Sequence, residues 1–392
     1  MSRDTDRLPL VSLLALCMAA FVTIVTEALP AGLLPQMAQD LRVTAAAAGQ
    51  SVTIYAVGSF VAAIPLMSLL QGWRRRRLLL LTLAGFTLAN TVTAFATHYG
   101  VMMVARAVGG VAAGILWAQL AGYAASMAPA HKRGKAIAIA MAGTPLALSV
   151  GVPLGTFISS LIGWRLCFAA LSVVSLVLMI VLRLTAPDLA GQSARQRLPL
   201  RRVLLLPGVG RVLVLVLTFV LAHNLLYTWI SSLLEPAGMT ARTDAVLLLF
   251  GLCSLVSIVL TGMLVDRHLY RLTLLSIGLF LMAALLLQLD ATNERLVWSA
   301  VSLWGLAFGG AATLFQTAIV YRAKAAADLA QSMLVTMWNL AIAGGGALGG
   351  VLLQHVGVGG FAPVVLLLLL VAMWVARGHA AQRSHDERLQ KD

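Results

Sequence analysis

The chain has 392 residues, of which 60% are hydrophobic and 11% charged, with a mean hydropathy of +0.93 and a formal net charge of +14. Soluble domains carry about 25% charged residues, so a polytopic membrane protein is expected and a soluble enzyme is excluded. The basic residues fall in short connections between apolar runs, which assigns the excess charge to membrane topology and anionic lipid rather than to a nucleic-acid surface.

A membrane-crossing helix takes about 20 mostly apolar residues. Twelve such runs are predicted, near 9–34, 46–70, 78–97, 100–126, 135–161, 164–186, 211–234, 243–265, 271–289, 296–320, 330–354 and 360–377. The first follows Arg3 and Arg7 as a signal peptide would, but it is too long and contains Glu27, so it reads as an uncleaved span. With both termini placed on the cytoplasmic side, 23 Lys and Arg lie on that side and 4 on the other, and Arg106 lies within a span. That asymmetry sets the expected orientation. The longest connection, 187–210, is polar and parts the runs six and six. The expected organisation is therefore an N-terminal six-helix half (1–186), a cytoplasmic linker (187–210), a C-terminal six-helix half (211–378) and a cytoplasmic tail (379–392).

The two halves repeat at one offset. Shifted back by 195 residues, Gly262–Arg267 falls on Met67–Gly72, and Arg271 falls on Arg76. The same shift carries Gly346 and Gly350 onto Gly151 and Gly155, and His223 onto Ala28, next to Glu27. Parallel six-helix repeats are a transporter design in which substrate binds near the membrane midplane between the halves.

Three strongly polar titratable or charged side chains lie well inside the runs: Glu27, Arg106 and His223. An acid at that depth costs a few kcal/mol, about 2.5–3.5 on insertion scales for Asp, Lys or Arg at a helix centre, and such residues mark ion or proton pathways. Glu27 is the candidate proton carrier. Arg106, at similar depth in run four, has two candidate partners: the Glu27 carboxylate, or backbone carbonyls of a neighbouring helix. His223 opens a polar stripe with Tyr227 and Ser231, and Asn224 lies beside it. Tyr55 of run two, Trp117 of run four, Trp304 of run ten, and Trp338 with Asn339 of run eleven complete the candidate substrate cavity.

Run five carries Gly143-Thr144-Pro145 and then Gly151, Pro153 and Gly155; run eleven carries Gly344–Gly346 and Gly349-Gly350. Small residues let helix backbones approach, and the prolines permit a bend. These runs are the expected mobile seam between halves. Gly262, Asp266 and Arg267 end run eight as a candidate latch, whereas Arg74–Arg77, lacking an acid at Gln71, read as a topology anchor. Cys17, Cys167 and Cys253 are far apart and indicate neither a disulfide framework nor a metal site. No GxxxxGK[ST] loop is present, so the drive is expected to be an ion or solute gradient, with no cofactor.

These motifs resemble the major facilitator superfamily. Thr26-Glu27 with Pro30-Ala-Gly-Leu-Leu, Ile54-Tyr55-Ala56, Met127-Ala128-Pro129, Gly163-Trp164-Arg165 and Asn339 followed by its glycine run are similar to the bacterial drug:proton antiporter group of sugar, arabinose and purine-ribonucleoside efflux transporters. The resemblance implies a multi-pass protein of the bacterial inner membrane with both termini cytoplasmic. It implies export of a small organic solute such as a sugar, nucleoside or drug in exchange for protons, with Glu27 and Arg106 as the coupling pair. Partners would be solute, protons and membrane lipid, without nucleic acid, and the chain would act as a monomer. A passive facilitator and a non-transporting membrane sensor are the alternatives. Val152 before Pro153, and Ala147 in place of an earlier glycine, depart from the antiporter motif of the fifth helix.

Overall fold

The computed structural model describes residues 8–191 and 198–389. Its elements run α1 (Leu10–Leu41), α2 (Ala45–Leu70), α3 (Arg75–Phe95), α4 (Tyr99–Ser126), α5 (Arg133–Met141), α6 (Gly143–Leu146), α7 (Val152–Ile162) and α8 (Trp164–Thr185). They continue as α9 (Leu200–Leu204), α10 (Val209–Thr228), α11 (Ile230–Leu234), α12 (Thr243–Leu289), α13 (Glu294–Gly309), α14 (Ala311–Ala323), α15 (Ala327–His355) and α16 (Phe361–Leu389). No strand occurs among the described residues.

Nine described stretches are long and apolar enough to cross a membrane. Two of them, 45 and 62 residues long, each hold two of the expected spans. The fifth expected span is divided among α5, α6, a π-type turn at Ala147–Gly151, and α7. Its breaks follow from composition: Pro145 and Pro153 each remove a helical N–H donor. The passes therefore number twelve, and the chain is an all-α polytopic membrane protein.

Local chemistry sets several boundaries. The Thr44 hydroxyl accepts from the Ala47 amide at 3.1 Å and starts α2; Asn293 Oδ1 accepts from the Arg295 amide at 3.0 Å and starts α13. Gly163, at φ +85°, makes the reversal between α7 and α8. In the turn before α13, the Thr292 hydroxyl and then its amide donate to Asp290 and hold that carboxyl below its usual range.

The contacts divide the chain into two compact units. One comprises the chain up to Val203 together with Ala323–Thr336; the other comprises Leu204–Arg322 and the chain from Met337. In the first unit Leu29, Leu33, Met37, Trp164 and Phe168 form an apolar core. In the second, Phe219 packs against Phe280, Phe308 and Phe315. The offset of 195 reappears inside the units as matched backbone approaches. A Cβ on Gly110 would lie 2.1 Å from the Tyr55 carbonyl oxygen, and one on Gly114 would lie 2.5 Å from that of Ser59. At their counterparts Gly305 and Gly309, a Cβ would lie 2.6 Å and 2.2 Å from the carbonyl oxygens of Phe250 and Ser254. Only a residue without a side chain permits these crossings.

Candidate functional site

In the first unit the polar residues converge on one break in α1. Pro30 lacks an N–H, so the Thr26 carbonyl four residues earlier has no helical donor. Arg106 of α4 supplies one: its Nη1 donates to Thr26 O at 2.6 Å. Nε donates to Ser51 O at 3.2 Å and Nη2 to Glu27 O at 3.3 Å. The guanidinium also lies 4.6 Å from the Tyr55 ring centroid and 5.9 Å from that of Phe168. Arg106 is 1% exposed, a burial that a cation tolerates only with such partners. Of the two partners the sequence leaves open for Arg106, the structure selects the carbonyls.

Glu27 itself is half-buried, and its carboxylate has no ion pair or hydrogen bond among the described residues. The acid therefore stands beside a fixed cation without being clamped by it. Around it, Asn90 Nδ2 donates to Thr26 Oγ1 at 3.1 Å and the Tyr55 hydroxyl donates to Thr23 O at 3.2 Å. Tyr55 is fully buried, so its ring walls the Arg106 chamber rather than an open cavity. Trp117 is half-buried further along α4.

The second unit carries an aromatic box around His223. Its imidazole stacks on Phe308 with centroids 3.5 Å apart and lies 5.2 Å from Tyr227, 5.3 Å from Trp304 and 5.7 Å from Phe250. Trp304 Nε1 donates to His223 Nδ1 at 3.1 Å. Nδ1 is thus an acceptor, which places the ring proton on Nε2 and leaves the imidazole neutral. Nε2 has no partner among the described residues. Tyr227 is 41% exposed, Trp304 is buried, and Trp338 reaches the box through Phe308 with centroids 6.1 Å apart. Asn224 donates back to Val220 O at 2.9 Å, and Asn339 is half-buried on α15. The side chain of Ser231 lies outside the described residues.

The glycine motifs pack within their own units. Cβ atoms on Gly143, Gly151 and Gly155 would meet Cys17 O at 2.0 Å, the Phe21 ring at 2.6 Å and Leu29 at 2.8 Å, all on α1. Pro153 is exposed between them. Gly345 and Gly349 lie as closely against Asn224 and Trp229. Asp266 accepts from the Tyr321 hydroxyl at 3.5 Å, Gly262 is half-buried, and Arg267 is exposed.

Sequence reasoning missed the partners of Arg74–Arg77. Arg75 pairs with Asp328 at the start of α15, with the two side chains 14% and 5% exposed. Arg74 and Arg76 flank Asp188 at 2.7 and 3.5 Å, and Arg77 lies over Trp73. Three of these arginines are thus ion-paired, Arg75 in a largely buried pair and Arg74 and Arg76 nearer the surface, so the run is not solely a topology anchor. Asp328 is 253 positions from Arg75, and its only signal was being the lone acid between Glu294 and Asp386.

Residues 16–329 match the sequence profile of the Major Facilitator Superfamily. The chain belongs to the Major Facilitator Superfamily. It is 27% identical over 354 residues to a probable sugar efflux transporter of Mannheimia succiniciproducens, covering 90% of this chain and 89% of the relative. Its fold is similar to the proton:xylose symporter XylE, with a TM-score of 0.73, 16% identity, and 93% and 94% of the two chains covered. The E. coli fucose:proton symporter FucP gives 0.73, 17%, and 95% and 99%. The human organic anion transporter MFSD10 gives 0.70, 14%, and 94% and 99%. The chain is therefore a facilitator-superfamily membrane transporter, and its twelve passes are those of that fold.

Proposed function

We propose that this transporter exports a small, uncharged, hydroxyl-bearing solute, a sugar or a close relative, in exchange for protons across a bacterial inner membrane, with both termini cytoplasmic. The observation that carries the reading is the unclamped Glu27 carboxylate beside the Arg106 guanidinium at the Pro30 break of α1. An acid without a fixed partner is free to take up and release a proton as solvent access alternates. Arg106, held by three carbonyls, keeps a positive charge in place beside it throughout.

The sugar assignment draws on the sugar efflux name of the relative and on the chemistry of the box in the second unit. That box offers aromatic faces, a neutral Nε2–H donor and the Tyr227 hydroxyl, but no charged side chain. In this reading His223 binds solute and carries no proton. Glycine crossings at Gly151 and Gly155, and the corner of α12 around Gly262, Asp266 and Arg267, serve the rocking movement. One inward proton supplies about 2.3 kcal/mol per 100 mV and about 1.4 kcal/mol per pH unit, enough for more than tenfold uphill export.

The test uses everted membrane vesicles with an acid interior and a pH-sensitive dye. Pentoses, hexoses, nucleosides and cationic drugs are added one at a time. Solute-triggered proton leak with sugars supports the reading. Solute equilibration without proton movement would establish a passive facilitator instead.

A further inference from the structure

The two units treat one corner differently. In the first, Arg76 has the Asp188 carboxylate 3.5 Å away and donates to the carbonyls of Arg183 and Ala186 at 3.4 and 3.3 Å. Its counterpart at the offset of 195 is Arg271. There α12 turns a corner at His268, where φ and ψ are −130° and 25°. Asp266, Arg267, His268, Leu269, Tyr270, Arg271 and Tyr321 line an open cavity of about 450 Å³ at that corner, within the range of small-molecule pockets, roughly 300–1,000 Å³.

Arg267, His268 and Arg271 are exposed to this cavity, and none has an ion pair or hydrogen bond among the described residues. Asp266, the one acid in the lining, is already engaged by the Tyr321 hydroxyl. The first unit supplies its own anion to the corner; the second leaves two guanidinium groups facing an open cavity. Guanidinium forks match phosphate oxygens bidentately, and the hydroxyl of Tyr270 adds a donor at the rim. Exposed apolar side chains flank the corner on both arms of the helix: Met263 at 69%, Leu264 at 40% and Leu275 at 57%.

We infer that this corner binds a phosphate group, with Arg267 and Arg271 as its principal ligands and His268 and Tyr270 beside them. The anion fills the place that Asp188 takes in the first unit. Two sources offer that chemistry: the headgroup of an anionic phospholipid, whose chains would lie along Met263, Leu264 and Leu275, and a soluble phosphate ester.

The experiment titrates the purified full-length transporter, delipidated in a neutral detergent, with short-chain phosphatidylglycerol, glycerol 3-phosphate and inorganic phosphate, reading heat of binding. Variants are R267Q/R271Q and, as a control of equal charge loss, R201Q/R202Q on the exposed face of α9. Thermal unfolding confirms that each variant folds. The expected result is binding to wild type and to R201Q/R202Q alike, weakened about tenfold or more in R267Q/R271Q, since each charge-assisted bond to phosphate is strong. Tight binding of the lipid alone assigns the site to the membrane; equal binding of the soluble esters assigns it to a soluble phosphate. Equal loss in both double variants, unchanged binding in R267Q/R271Q, or no binding of any probe to wild type at millimolar concentration would overturn the inference.

Discussion

Replacing Arg106 with methionine, alone and together with Pro30→Ala, separates what the guanidinium does for the backbone from what its charge does. Glu27 O and Ser51 O keep helical amide donors when Arg106 is removed. Thr26 O does not, because residue 30 is proline. An acceptor buried without a partner costs about 1–3 kcal/mol. Alanine at position 30 restores an amide aimed at Thr26 O, so it removes that penalty in the Arg106→Met background. In the wild-type background the carbonyl is already satisfied at 2.6 Å, and the gain is smaller. Loss of the ring contact with Tyr55 and of the charge beside Glu27 occurs in both backgrounds and cancels in the cycle. The expected coupling is about 1–2 kcal/mol, a factor of about 5–30 in the unfolding equilibrium. The assay is reversible unfolding of the four proteins in mixed micelles. Additivity within about 0.5 kcal/mol would refute the claim that Arg106 substitutes for the donor Pro30 lacks.

Three other outcomes are expected. Gly110→Ala and Gly305→Ala should each destabilise by about 1–3 kcal/mol, because the new Cβ overlaps a carbonyl of the partner helix. Gly49→Ala, whose Cβ would meet nothing nearer than 3.9 Å, should instead gain up to about 1 kcal/mol from helix propensity; thermal unfolding distinguishes them. Asp328→Ala leaves Arg75 buried and unpaired and should cost about 3–5 kcal/mol, with Arg75→Met in the same chain recovering much of it. Trp304→Phe removes the donor to His223 Nδ1 and frees the imidazole to change tautomer. Apparent affinity for the transported solute should fall about tenfold, one hydrogen bond's worth, in a vesicle titration.

The twelve passes and the repeat were legible because both are written in local composition: apolar runs of membrane length, and glycines recurring 195 positions apart. The fifth pass is fragmented where its prolines predict. Arg106 was half legible. A buried arginine needs acceptors, and Pro30 four residues after Thr26 announces a free carbonyl, yet helix spacing cannot say which of several acceptors at the same depth lies within reach. The glycines of runs five and eleven, expected at a mobile seam, make their close contacts with α1 and with Asn224 and Trp229, each inside its own unit. Small residues signal a close approach without naming the partner. Asp328 was illegible as the partner of Arg75, since a pairing across 253 positions leaves no trace in spacing.

The central claim is that Glu27 couples proton movement to solute export. It is tested most directly by comparing wild type with Glu27→Gln in everted vesicles, measuring labelled-sugar accumulation under an imposed proton gradient and, separately, sugar–sugar exchange without one. The account predicts that Glu27→Gln keeps exchange and loses gradient-driven accumulation. Accumulation equal to wild type in the Glu27→Gln protein would contradict it.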